Sequence, residues 1–203
     1  MKQMPHLKIW KRILTQRRGT TQAAILIARI QLRYLHLLSD QPHVTQRALR
    51  SQLETLILPG LALYQTLRDE SKDNQAALAE VEPMFKAAFF ARLRRNITVL
   101  NHLADPFPVV RPALRRMTST AYQPGACEVV EDSSECFAVN IYRCFILDTL
   151  KAYGAAELTT LYCKTDDWLA ETLPKVRWLR TKTLGRGDDL CDFRWCRSSQ
   201  ERA

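Results

Sequence analysis

The sequence predicts an α+β protein, a helical N-terminal half packed on a small antiparallel sheet formed by the C-terminal half. Three observations carry this. Apolar residues recur at three- and four-residue steps as far as Leu103, Asp105-Pro106-Phe107-Pro108 closes that stretch, and beyond Gly125 the period shortens toward two. Residues 1–20 read as a basic N-terminal tail, 21–196 as one α+β domain with a helical half (21–104) and a sheet-containing half (125–196), and 197–203 as a tail.

Within the helical half, Ala24, Ile27, Ala28, Leu35 and Leu38 mark a helix over Thr21–Leu38. A second starts near Val44 and turns Leu49, Leu53, Leu56 and Ile57 inward. Pro59-Gly60 is expected to kink or break it, since proline lacks the N–H and crowds the preceding turn. Leu61, Leu63, Tyr64 and Leu67 resume as a short third helix, and a long one follows over about Gln75–Leu103, with Pro83 at a kink. Residues 105–124 read as a connection with a short helix around Ala113–Met117.

The later half reads as strand pair, helices, strand pair. Cys127–Val130 and Cys136–Tyr142 flank a polar turn, and Phe145–Tyr153 returns to helix and stops at Gly154. Glu157–Cys163 continues helically, with Asp166 as cap of a further turn to Leu173. Val176–Leu184 and Leu190–Trp195 are expected to pair around Gly185-Arg186-Gly187-Asp188-Asp189.

With 203 residues, 46% hydrophobic, the chain is long enough to bury a full core. The longest apolar run falls far short of a membrane span, and no signal-peptide pattern opens the sequence. A soluble, cytoplasmic protein is expected. The net charge of +9 raises nucleic acid as a partner, but the basic residues are spread among acids without a recognition motif, so a solvated basic tail is the preferred reading. The six cysteines lie too far apart for a zinc ribbon and are too few for a disulfide scaffold, so all are expected to be reduced thiols.

All six cysteines nevertheless fall between Cys127 and Cys196, interleaved with arginine, aspartate and glycine. Cys144, Cys163 and Cys191 are candidate nucleophiles, since a nearby arginine lowers a thiol pKa, and Asp166 and Asp192 are candidate proton carriers. Arg143 and Arg180 suit a substrate carboxylate through the planar guanidinium fork. On a strand, Cys191 and Phe193 share one face and Asp192 and Arg194 the other, so part of that segment must be structural. No cofactor is called for outright. The alternative is a divalent metal, zinc on Cys144, Cys163 and Cys191 with Asp166 or His102, or a harder ion such as manganese on carboxylates alone.

Four pieces in order resemble the L-2-amino-thiazoline-4-carboxylic acid hydrolase family over roughly residues 45–196. They are Leu58-Pro59-Gly60-Leu61-Ala62-Leu63-Tyr64, Asn140-x-x-Arg143-Cys144, Cys163-x-x-Asp166-Asp167, and Arg180-Thr181-Lys182-Thr183 leading to Gly187 and Cys191-Asp192-Phe193-Arg194. The last third is also loosely similar to 4-vinyl-reductase-like small-molecule-binding domains. The family resemblance implies a hydrolase acting on a carbon–nitrogen bond of a cyclic amidine. It would open 2-amino-thiazoline-4-carboxylate to N-carbamoyl-cysteine, with Asn140, Arg143, Arg180 and Thr183 on the substrate. A small-molecule-binding module without turnover is the alternative. A homodimer through the Pro59-Gly60 helices and exposed leucines is compatible with either.

Overall fold

The computed structural model describes residues 3–90, 94 and 97–198. Helix α1, Leu7–Arg18, occupies the segment read as a solvated tail. Trp10 and Leu14 lie four residues apart on one face and are fully buried, and Trp10 Nε1 donates to the Met84 carbonyl at 3.0 Å. Lys8, Lys11, Arg12, Arg17 and Arg18 fall on the exposed side. The density of charge hid an amphipathic helix whose inward stripe is only two large residues wide.

Gly19, at φ 77°, turns the chain directly into α2, Thr20–Ser39, which buries Leu26, Ile30, Tyr34 and Leu37. The expected break at Pro59-Gly60 does not occur. Helix α3, Arg47–Gln52, passes through a π turn, Leu53–Ile57, straight into α4, Leu58–Ser71, so the proline falls in the first turn of α4, where its missing N–H matters least. In a regular helix Pro59 would leave the Thr55 carbonyl unserved, and His6 Nε2 lies 3.3 Å from that oxygen.

Pro59 and Gly60 are buried within the chain, so these two residues form an internal seam. A Cβ on Gly60 would lie 2.7 Å from Phe85 Cζ and would also collide with the Tyr162 hydroxyl. Helix α5, Asn74–Phe85, is capped by Asp73, whose carboxylate accepts from the amides of Gln75 and Ala76. Pro83 also lies beside a π turn, Lys86–Phe90, here on its C-terminal side. The long helix expected to Leu103 has become a 3₁₀ turn by Val99–His102, and residues 91–93 and 95–96 lie outside the described residues.

Helix α6, Phe107–Ala121, fills most of the segment read as a connection. Pro106 and Pro108 lie at its start, where the absent N–H groups have no intrahelical partner to lose, and Pro112 is accommodated inside the helix, while Phe107, Val110, Leu114 and Thr118 form one buried stripe. The sheet consists of β1 (Cys127–Asp132), β2 (Cys136–Ile141), β3 (Val176–Leu179) and β4 (Cys191–Arg197), in the order β1-β2-β4-β3 with every pair antiparallel. Between β2 and β3 come α7, Phe145–Ala152, and α8, Thr159–Glu171. The fold is α+β, with the sheet confined to the later part of the chain.

In β2 and β4, Phe137 faces Trp195, Val139 faces Phe193 and Ile141 faces Cys191. These belong to one apolar cluster that also holds Phe107, Val110 and Leu114 of α6. A larger cluster occupies the space between α1, α2, α4, α5 and α8. The final strands do not form the tight hairpin expected around Gly185–Asp189, because residues 180–190 make a loop with a 3₁₀ turn at Leu184–Arg186. Arg197 closes β4 and pairs with Asp105 and Glu135, so the tail expected from 197 onward begins later, and residues 199–203 lie outside the described residues.

One thiol expectation fails on the outer sheet face. Cys136 and Cys196 are cross-strand partners and are joined as a disulfide, because the register sets them directly opposite each other. Cys127, Cys144, Cys163 and Cys191 are free. Among the described residues no helix is long and apolar enough to cross a membrane.

The seam at Gly60 yields a test. Gly60→Ala overpacks Phe85 and Tyr162 and is expected to cost about 2 kcal/mol of stability. Urea unfolding would show it as a lower midpoint at unchanged slope. An unshifted midpoint would contradict the close packing.

Candidate functional site

Where the two apolar clusters meet, the side chains leave a cavity of about 180 Å³. Helix α8 supplies its most chemical wall. Thr159, Tyr162, Cys163 and Asp166 recur at steps of three and four and therefore share one face of that helix. Asp166 thus stands inside α8 and is not the helix cap it was read as. Cys144, immediately before α7, adds a second thiol, and the sheet contributes Ile141, Cys191 and Phe193. Gln52 and Leu56 come from the π turn and the residue before it, and Met117 and Tyr122 from the end of α6.

Cys144, Cys163, Cys191 and Asp166 are therefore brought together from three distant pieces of chain. Cys191 is fixed by its strand and by the Leu184 amide, which donates to its sulfur at 3.3 Å. Cys163 is pressed by the loop after β3, since a Cβ at Gly185 would lie 3.1 Å from its Sγ. That glycine, read as hairpin punctuation, is a close-approach position.

Burial dominates the electrostatics. It pushes the Cys163 thiol up to about 12 and Cys191 to about 11. Cys144 is raised for the same reason, although the amides of Ile146 and Leu147 at the start of α7 pull the other way. The expectation that an arginine would lower a thiol pKa meets a stronger opposing force, because Arg180 acts downward on Cys163 and Cys191 without overcoming desolvation. All three thiols are protonated at neutral pH. Asp166 keeps 24% of its side chain accessible, yet burial lifts its carboxyl to about 7, with Arg180 opposing and Asp167 adding to the rise. A carboxyl poised there can both take and give a proton near neutrality.

Other predicted residues are engaged elsewhere. Arg180 is 4% exposed; its Nη2 donates to both Asp167 oxygens at 2.9 and 2.8 Å, and its Nη1 donates to the Cys163 carbonyl at 3.0 Å and stands 3.6 Å from Asp166. Both terminal nitrogens are thus engaged within the protein. Arg143 is exposed and borders a separate surface depression beside Val44, Gln46 and Pro124.

Asp192 accepts from the amides of Thr181 and Lys182 at 2.8 and 2.5 Å and from the Thr181 hydroxyl. Burial would raise its carboxyl, but these bonds outweigh it and hold Asp192 below the usual range. Asn140 faces Asp192 across the register and accepts from Arg194 at 2.8 Å. Thr183 is buried, and its amide donates to Asp188 at 2.7 Å. None of these lines the cavity; for Asp192 and its cross-strand neighbour Asn140 the reason is the division of the Cys191–Arg194 segment between two strand faces.

The metal alternative finds no donor set. Among the described residues no group of three or more His, Cys, Asp and Glu side chains stands close enough to hold an ion, and His102 is exposed away from the cavity. Reading along the chain missed Gln52, Thr159, Tyr122 and Tyr162. Thr159 and Tyr162 were accessible by counting back from Asp166 along the helix, whereas Gln52 and Tyr122 carried no local signal.

Fold and cavity together define an α+β protein with a small internal pocket walled by three thiols and one carboxyl of near-neutral pKa. Residues 50–195 match the family model of the L-2-amino-thiazoline-4-carboxylic acid hydrolases, and the chain belongs to that family. No curated protein and no solved structure matches it.

Asp166 makes stability depend on pH with a definite sign. Its folded pKa lies above the ordinary carboxylate value, so between pH 4 and about 7 the folded chain holds more protons than the unfolded one. Its contribution is fully present below about pH 4 and is lost as pH rises through about 7. Denaturation midpoints of the wild type against Asp166→Asn should show the wild type losing ground to the variant across that window, and a constant difference would contradict the raised pKa.

Proposed function

We propose that this chain is a hydrolase that opens a small, carboxylated cyclic isothiourea such as 2-amino-thiazoline-4-carboxylate to N-carbamoyl-cysteine, using Asp166 to move protons. The observation that carries the reading is the Asp166 carboxyl, titrating near 7 in a cavity of ring-sized volume, in a chain of this family.

Water adds across the ring C=N bond, its oxygen bonding to the carbon between sulfur and nitrogen. Ionised Asp166 takes a proton from that water as the bond forms and passes it to the ring nitrogen. As the adduct collapses, its hydroxyl proton passes through Asp166 to the departing sulfur, the C=O bond forms and the carbon–sulfur bond breaks. One water is consumed, and the product carries a free thiol and a carbamoyl nitrogen. Although attack begins at a carbon–nitrogen double bond, the bond finally broken is carbon–sulfur.

In this reading Cys144, Cys163 and Cys191 are not nucleophiles. Protonated thiols with pKa values lifted by burial attack poorly, and as small, weakly polar groups they wall the cavity and keep its dielectric low. The low dielectric in turn keeps Asp166 near neutrality.

Single-turnover assays of ring opening, following thiol release, test this. Asp166→Asn is expected to lower kcat by at least about 100-fold. Serine at Cys144, Cys163 or Cys191 should each cost less than about tenfold, and the rate should rise with pH through an inflection near 7. Loss of activity on changing a single cysteine, with Asp166→Asn active, would replace Asp166 by a covalent thiol. Saturable binding without turnover would instead mark a ligand-binding module.

A further inference from the structure

Three residues that line the cavity, Thr159, Gln52 and Asp166, carry polar oxygens with no regular partner among the described residues. Thr159 is 1% exposed, and its Oγ1 makes no hydrogen bond. Thr165 and Thr172 on the same helix, by contrast, return their hydroxyls to the carbonyls of Tyr162 and Leu169. Gln52 Oε1 is likewise buried and unpartnered. Asp166 has only the 3.6 Å approach of Arg180, whose better bonds go to Asp167 and Cys163. The Tyr162 hydroxyl is not available, because it donates to the carbonyls of Leu56 and Ile57 in the π turn.

No described residue lining the cavity is a lysine or arginine. A carboxylate entering here would leave water for a pocket holding Asp166 and three uncharged thiols, with no cation to receive it. An N–H-bearing group meets the opposite situation. A protonated cyclic isothiourea carries three N–H bonds, enough for one each to Asp166, Thr159 and Gln52, or for two to the carboxylate and one to Thr159 or Gln52. The volume, about six times a water's share of the liquid, suits a single small ring.

Building on the reading of this cavity as the substrate site, we propose that it selects its ligand by the N–H end of a cyclic amidine or isothiourea, held by Asp166, Thr159 and Gln52. The ligand's carboxylate is not required for binding. Specificity then resides in Thr159 and Gln52 together with Asp166, and the site accepts cyclic amidines that lack the acid.

Binding is coupled to the charge of Asp166, and the groups that feel that charge are Arg180, Asp167, Tyr122 and the thiols of Cys144, Cys163 and Cys191. The thiols and Tyr122 stay neutral to well above pH 8, so below that pH the ligand answers to Asp166.

Calorimetric titration of the full chain with 2-amino-2-thiazoline, which has the ring and amino group without the carboxylate, tests the proposal. Thiazolidine-4-carboxylate, which has the acid without the amidine, is the opposing probe. The expected result is saturable binding of the first, at least tenfold tighter at pH 8 than at pH 5.5, and none of the second. Asp166→Asn should cost at least tenfold and remove the pH dependence. Thr159→Val, close to isosteric, should weaken binding severalfold while leaving the thermal midpoint unchanged.

Equal binding of the two probes, or wild-type affinity in both folded variants, overturns the proposal. If 2-amino-2-thiazoline binds as expected but its 4-carboxylate is never opened, the selectivity stands and the hydrolase reading falls. If the 4-carboxylate is opened but the acid-free ring does not bind, the hydrolase reading stands and this inference falls.

Discussion

A buried guanidinium joins the sheet to the helix that carries the site. Arg180 follows the last residue of β3 and reaches α8, where its Nη2 donates to both carboxylate oxygens of Asp167 and its Nη1 donates to the Cys163 carbonyl. Its flat face lies 5.6 Å over the Trp178 ring and 5.7 Å over Phe193, so the charge is enclosed by aromatic surface as well as by its partner. Burying such a charge is unfavourable unless geometry and hydrogen bonding compensate, and here both do. The register of α8 against the sheet follows, and with it the direction in which Thr159, Cys163 and Asp166 point. Trp178 Nε1 also donates to Asp167, which makes that carboxylate the shared acceptor of strand and arginine.

The same engagement sets the character of Asp166. Two consecutive aspartates compete for one arginine. Asp167 takes the short bidentate contact, and Asp166, one residue back and turned about 100° around the helix, is left with the longer approach. Desolvation then outweighs attraction, and the carboxyl rises to near neutrality. An arginine free to serve Asp166 fully would hold it ionised and remove the proton donor. The protein thus separates two chemically identical neighbours into a structural anion and a titrating acid by geometry alone.

On the other side of the cavity, a π turn at Leu53–Ile57 does comparable work. It absorbs the approach to Pro59 without ending the helix, and two of its carbonyls accept the Tyr162 hydroxyl. Gly60 beyond it allows Phe85 and Tyr162 to press against the backbone. Gln52, immediately before the turn, is thereby placed against the cavity. The stretch around Pro59-Gly60, one of the pieces by which the family is recognised, is thus a packing element that seats α8.

The sequence by itself determined the α+β class, the order of helices and strands in the later half, and the family. Those follow from local periodicity and from short ordered motifs, both written along the chain. It also determined that Cys191 and Asp192 could not serve one pocket, because alternation on a strand needs no tertiary information. It misread α1 because two buried residues are a faint signal against five basic ones, and α6 because prolines were counted as breakers without regard to their position in the helix. Tertiary structure alone decided that Arg180 bonds Asp167, that Cys136 and Cys196 meet across strands, and that Gln52 and Thr159 line the same cavity as Asp166. Each of these depends on contacts between distant segments and on how completely burial removes water. Spacing in sequence records neither.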